Sequence, residues 1–155
     1  MNKKKKINYD GWELKFFDKS KNFRNYQLKL IQKYVKGYIA EVGPGNGMNA
    51  SSYINYPKKI DLYEPTKKLY LELKKRFKKT NKISIYNKKF LLQKEKYDSI
   101  LYLDVLEHIK KDKEEILKAF KSIKKNGYLI INVPAFSYLY SKFDKDVGHH
   151  KRYQK

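Results

Sequence analysis

Tyr38-Ile-Ala-Glu-Val-Gly-Pro-Gly-Asn-Gly47 runs from a short apolar segment straight into three glycines set two residues apart. Tyr38, Ile39, Ala40 and Val42 read as a buried strand, and Gly43, Gly45 and Gly47 strip the following turn of β-carbons, so that a ligand can lie against bare backbone. The spacing separates this turn from a dinucleotide fingerprint. G-x-G-x-x-G would place its third glycine at position 48, where Met48 stands, and the pattern here is E-x-G-x-G-x-G.

Outward from this turn, strand and helix signals alternate, which predicts an α/β fold: a doubly wound, mostly parallel sheet of about five strands with helices on both faces. Phe23, Tyr26, Leu30, Ile31 and Tyr34 recur at helical spacing, with Gly37 as a C-terminal cap. A second helix is predicted from Met48 to before Pro57. The second strand is Ile60 to Tyr63, and Pro65 suits the first turn of a helix carrying Leu69, Leu73 and Phe77. Lys82 to Tyr86 reads as the third strand and Tyr97 to Leu103 as the fourth. Asp112 and Glu115 have the form of a capping box, opening a helix whose inward face is Ile116, Ala119, Phe120 and Ile123 and whose stop is Gly127. Tyr128 to Val133 is the fifth strand. Residues 1–20 form an N-terminal segment, a candidate lid through Tyr9-Asp-Gly-Trp-Glu-Leu-Lys-Phe-Phe17, and 21–155 form the domain proper.

Ligands of such folds bind outside the carboxyl ends of the strands, where the strand order reverses. The glycines close the first strand, Glu64 the second, Asp104 the fourth and Pro134 the fifth. Glu64 lies 21 residues beyond Gly43, the spacing at which a βαβ unit places a carboxylate for ribose hydroxyls, the alternative being a solvated strand end.

Several stretches resemble the class I S-adenosylmethionine-dependent methyltransferases. The glycine turn is similar to their first motif, Asp61-Leu-Tyr-Glu64 to their second strand, and Tyr97-Asp-Ser-Ile-Leu-Tyr-Leu-Asp-Val-Leu-Glu-His-Ile109 to their fourth strand and the turn after it. Asn126-Gly-Tyr-Leu-Ile-Ile-Asn-Val-Pro134 is similar to their fifth strand. Phe143-Asp-Lys-Asp-Val-Gly-His-His-Lys-Arg-Tyr153 resembles a D-x-x-x-G-H-x-x-R-Y segment of a bacterial subset.

The resemblance implies a Rossmann-like fold, S-adenosylmethionine as cofactor, and methyl transfer to a small-molecule or lipid- or sugar-linked acceptor. The alternatives are a cofactor-binding but inactive fragment or a nucleic-acid methyltransferase. It implies cofactor contacts from Glu41, Gly43, Gly45, Gly47, Glu64 and Asp104. Where the family often has an acid for the adenine this chain reads Asn87-Lys-Lys-Phe90, so Phe90 is the candidate there. His108 either faces the site or packs its short helix. His149 is the candidate catalytic base, an imidazole being the side chain that titrates near neutrality, and the alternative is a basic tail. The resemblance further implies two more strands, the last antiparallel, for which the 22 residues after Val133 leave no room. An incomplete enzyme that self-associates through an uncovered fifth strand is therefore expected.

Composition bounds these readings. A chain of 155 residues suits one domain. Without cysteine it has neither disulfides nor a thiolate metal site. Asp144, Asp146, His149 and His150 lack any recognised zinc spacing, so no metal is expected. No span or leader pattern is present, and a cytoplasmic protein is expected. The formal charge of +21 invites nucleic acid. However, the 37 basic residues include only Arg24, Arg76 and Arg152 as arginines, whereas arginine is the side chain suited to bidentate phosphate and base contacts. The strand end Leu103-Asp-Val-Leu also lacks the N-P-P-Y-like motif of a nucleic-acid methyltransferase.

Overall fold

A computed structural model describes residues 11–17 and 19–154. Tyr9 and Asp10, the start of the expected lid, lie outside the described residues. The sheet holds β1 (Tyr38–Val42), β2 (Lys59–Tyr63), β3 (Ile83–Tyr86), β4 (Tyr97–Leu103) and β5 (Ile123–Asn132). Their order is β3-β2-β1-β4-β5, and every pairing is parallel. The helices are α1 (Leu14–Phe17), α2 (Lys21–Ile31), α3 (Met48–Tyr53), α4 (Lys67–Arg76), α5 (Asp112–Ser122) and α6 (Lys142–Asp146). None of the described helices is long and apolar enough to cross a membrane.

Strands buried on both faces send alternate side chains to two separate cores. Ile39, Ile60, Leu62, Leu101 and Leu103 meet Ala50 and Tyr53 of α3 and Leu73 of α4 on one side. Ala40, Val42, Tyr63, Ile100 and Tyr102 meet Ala119 of α5 on the other. Asp61 is fully buried in β2, where its Oδ2 accepts from the hydroxyls of Tyr38 and Tyr97, both at 2.8 Å, and from Lys96 Nζ at 3.1 Å.

The helix faces depart from the sequence reading. Phe23, Tyr26 and Leu30 are exposed, while Leu28 and Ile31 reach the core. The inner side of α2 also carries Arg24 and Gln27, which border the cavity at the strand ends, and that breaks the apolar period. Beyond α2 the chain continues as a 3-10 turn over Gln32–Tyr34, so Gly37 caps no helix. It bends the chain into β1 at φ +74°. Pro65 precedes the N-cap Thr66 of α4. Asp112 caps nothing, because the N-cap of α5 is Lys111; the carboxylate of Asp112 accepts instead from Tyr153 Oη at 2.8 Å. Phe120 points outward, 71% exposed.

Gly127 is the clearest correction. Helix α5 ends at Ser122, and Ile123 already pairs with Tyr97. Regular pairing resumes only at Tyr128 with Ser99, so the intervening residues bulge, with Asn126 at φ +65°. Gly127 is needed where the bulge returns: a β-carbon there would lie 2.8 Å from the Asp98 carbonyl oxygen and 3.0 Å from that of Lys124. On edge strand β5, Tyr128 and Ile131 are each 41% exposed.

Past β5, the chain leaves at Pro134 and returns through α6 to Tyr153. Its two ends are joined by a parallel bridge between Ala135 and Tyr153, with Phe136 N donating to Tyr153 O at 2.8 Å and Tyr153 N to Pro134 O at 2.9 Å.

Two measurements check this architecture. Gly127→Ala should lower stability by roughly 1–3 kcal/mol, the scale of a forced overpacking, read as a lower urea midpoint with unchanged slope. Glu41 is buried at 1% exposure in β1, accepting from Tyr53 Oη of α3, and burial pushes its pKa from 4.5 up to about 7. The folded state then holds a proton that the unfolded chain releases, so this group's contribution is complete below pH 4.5 and lost as pH rises through about 7. Glu41→Gln should remove that part of the decline, seen as a wild-type-minus-variant difference that shrinks over this window in urea melts.

Candidate active site

The turn from β1 to α3 sets Gly43, Gly45 and Gly47 at φ +67°, +59° and +81°, a region that costs side-chain-bearing residues strain. Protein packing accounts for part of the pattern. A β-carbon on Gly43 would sit 2.7 Å from Val105 Cγ2, and one on Gly47 2.7 Å from Leu73 Cδ2. A β-carbon on Gly45 would meet only the tip of Leu14, Cδ1 at 3.0 Å and Cδ2 at 3.7 Å. Gly43 and Gly45 border the cavity described below, whereas Gly47 is turned toward α4.

Glu64 follows the last residue of β2 and is 3% exposed. Its Oε2 accepts from Gly45 N at 3.2 Å and its Oε1 from Thr66 N at 2.8 Å. Burial raises its pKa and these backbone donors oppose the rise. Asn87, just past β3, holds this corner by donating to the carbonyls of Glu64 at 3.0 Å and Pro65 at 3.2 Å. Glu41 lies beneath the turn rather than on the cavity wall. Phe90 is on that wall but only 1% exposed, its ring edge-on to Tyr63 at 5.1 Å, so it offers little surface to a ligand.

Asp104 leaves β4 at φ +57°, a strained conformation that points to function when held by its surroundings. Here Asp104 N donates to Asn132 O at 2.9 Å, and Asn132 Nδ2 donates to Asp104 Oδ1 at 2.8 Å. The side chain opens onto the cavity, and the protein around that cavity raises its pKa by desolvation.

The loop between Pro134 and Tyr153 brings His149 to the same cavity. Asp144, fully buried, organises it. Arg152 donates to both carboxylate oxygens, Nε to Oδ1 at 2.9 Å and Nη2 to Oδ2 at 3.0 Å. Ser141 N and Oγ donate to Oδ2 at 2.8 and 3.1 Å. These charge-assisted bonds hold the Asp144 pKa well below the usual carboxylate range despite burial. The remaining bond runs between Asp144 Oδ1 and His149 Nδ1 at 2.8 Å, which sets the ring so that Nε2 looks toward Glu107 Oε1, 3.9 Å away.

Glu107 and His108 come from the turn after β4. His108 lies edge-on to His149 with ring centroids 4.7 Å apart, and burial pushes its pKa down to about 4. Glu107 is 1% exposed, and burial pushes its pKa up to about 8, with the Asp104 and Asp144 carboxylates adding to the rise. Sequence reading singled out neither Glu107 nor the anchoring role of Asp144. No local period marks them, because their partners are brought by folding from distant parts of the chain.

The cavity formed by these loops has a volume of about 1160 Å³ and is bordered by Gly43, Gly45, Glu64, Asp104, His108 and His149. Trp12 and Leu14 reach it from the N-terminal side. The Trp12 ring stands edge-on to Phe143 of α6 with centroids 6.4 Å apart, so the N-terminal segment and α6 meet beside the cavity.

Among solved structures, the fold is similar to the YcgJ protein of Bacillus subtilis at 12% identity and TM-score 0.65, covering 74% of this chain and 52% of that one. It is similar to a SAM-dependent methyltransferase of Leishmania major at 17% identity and TM-score 0.62, covering 81% and 53%. DhpI, solved as a complex with SAH, shares 10% identity at TM-score 0.62, covering 84% and 68%. The chain thus spans about half the length of the first two of these proteins. No curated protein matches it by sequence. Residues 17–154 match the family model described as a methyltransferase domain. With that match covering most of its length, and with a parallel sheet whose loops open on one cavity, the chain belongs to the methyltransferase-domain family.

Proposed function

We propose that the cavity binds S-adenosylmethionine and that the site transfers its methyl group to a small-molecule or lipid- or sugar-linked acceptor. The observation that carries this reading is the bond from Gly45 N to Glu64 Oε2 at 3.2 Å. It joins bare backbone at the end of β1 to a carboxylate at the end of β2 on one wall. The residues fit the cofactor. Each oxygen of Glu64 takes one backbone donor and keeps lone-pair capacity for ribose hydroxyls, and the space beside Gly45 holds only a flexible leucine tip. A cavity of about 1160 Å³ exceeds the ~300–1,000 Å³ of ordinary ligand sites, room for cofactor and acceptor together.

Bound S-adenosylmethionine supplies a methyl group already activated by its positive sulfur. The chain's own work is therefore placement. Glu64 and the glycine turn hold the nucleoside end, and Asp104, fixed by Asn132, stands at the neighbouring strand end. His149 lies across the cavity with its Nδ1 engaged by Asp144, leaving Nε2 to take a proton from an acceptor hydroxyl or amine. Residues 11–17 serve as a partial cover through Trp12 and Leu14.

Two outcomes are expected. Glu64→Ala should weaken S-adenosylmethionine by roughly 1.5–3 kcal/mol, the range for hydrogen bonds involving a charged group, in titration calorimetry. An analogue without the ribose hydroxyls should lose far less, and equal losses for both ligands would count against ribose recognition. We also infer that this chain self-associates through β5, whose Tyr128 and Ile131 are exposed. Sedimentation over a concentration series should show a dimer that Ile131→Lys shifts toward monomer.

A further inference from the structure

We propose that Glu107, His108 and His149 bind one divalent transition-metal ion of the zinc, cobalt or manganese kind at the wall of the cavity. Each offers one ligand atom, and the three atoms all lie within 4.8 Å of one another. The separation of His149 Nε2 and Glu107 Oε1, 3.9 Å, is about 0.5 Å more than the ~3.4 Å between two tetrahedral ligands each roughly 2.1 Å from a shared ion. Small side-chain rotations bring the set to bonding distance.

An independent observation points the same way. Glu107 Oε2 is buried and has no hydrogen-bond partner. A buried carboxylate oxygen left without a donor is costly, and a cation beside it removes that cost. The structure also holds the histidines in ligating form. With Nδ1 of His149 bound to the Asp144 carboxylate at 2.8 Å, the proton belongs on Nδ1 and the lone pair on Nε2. This is the carboxylate–histidine arrangement that orients metal ligands in general. Asp144 is itself fixed by Arg152 and Ser141. His108 is the second imidazole, its ring edge-on to that of His149 with centroids 4.7 Å apart.

Two imidazoles and one carboxylate suit borderline ions, and three protein ligands leave positions open on the cavity side, as in catalytic rather than structural sites. Binding of the ion does not rest on methyl transfer. If the proposed function holds as well, the ion takes the Nε2 lone pair of His149. It would then replace that nitrogen by lowering the pKa of an acceptor hydroxyl bound to it, whose proton passes to solvent water.

The test uses the full chain, stripped with chelator and titrated with Co²⁺ without cofactor, followed by its visible absorption, and with Zn²⁺ by calorimetry. One ion per chain is expected, with an absorption spectrum of nitrogen and oxygen ligation. Glu107→Gln and His149→Ala should each weaken binding at least roughly tenfold, while His150→Ala should leave it unchanged. Thermal melts guard against misfolding: Zn²⁺ should raise the melting temperature of wild type and His150→Ala but not of Glu107→Gln. Absent binding, or equal loss in His150→Ala and Glu107→Gln, overturns the site. S-adenosylmethionine titrated in chelator tests the cofactor reading separately, so each proposal can fail alone.

Discussion

Strand β1 is hydrogen-bonded on both sides, to β2 and to β4, in parallel register. A strand so placed has no solvent edge, and its neighbours must run the same way, so the loops after β1, β2, β4 and β5 all emerge along one rim. Nearly every group with chemistry to offer is on that rim: the glycine turn, Glu64, Asp104, Glu107 and His108. The polar positions inside the sheet are tolerated because each meets a partner at once, Glu41 through Tyr53 and Asp61 through two tyrosines and a lysine. These bonds offset part of the desolvation cost, although Asp61 Oδ1 is buried without a hydrogen-bond partner and burial still raises the Glu41 pKa.

The sheet was legible in the sequence because parallel strands buried on both faces read as apolar runs, and β1, β2 and β4 fall where Tyr38–Val42, Ile60–Tyr63 and Tyr97–Leu103 predict. Helix faces were harder. Local periodicity treats every polar residue as outward, yet Arg24 and Gln27 of α2 turn inward to border the cavity, and Phe120 of α5 turns outward. Gly127 was misread for a related reason. Its role is set by the Asp98 carbonyl of a neighbouring strand, a contact that no local pattern records.

The site divides in the same way. Gly43, Gly45 and Glu64 sit within one βαβ unit, so their spacing along the chain is already their geometry. Their physical roles still differ from the simplest reading, since Gly43 and Gly47 admit Val105 and Leu73. His149 could be picked out as a residue type, but not its orientation, which depends on Asp144, Arg152 and the turn holding Glu107. Those contacts exist only once the segment after β5 has folded back. The formal charge of +21 does not describe the cavity wall, where Glu64, Asp104 and Glu107 stand with Arg24 and Arg152.

The segment from Pro134 to Tyr153 is closed at its neck by the Ala135–Tyr153 bridge, and Tyr153 Oη is tied to Asp112 at 2.8 Å. A loop pinned at both ends has its closure entropy set by the scaffold rather than by whatever it binds. Its interior is stitched by one carboxylate, Asp144, which holds Arg152, Ser141 and His149 at once. His149 therefore owes its place beside Glu107 to the Asp144 bond rather than to the chain on either side of it.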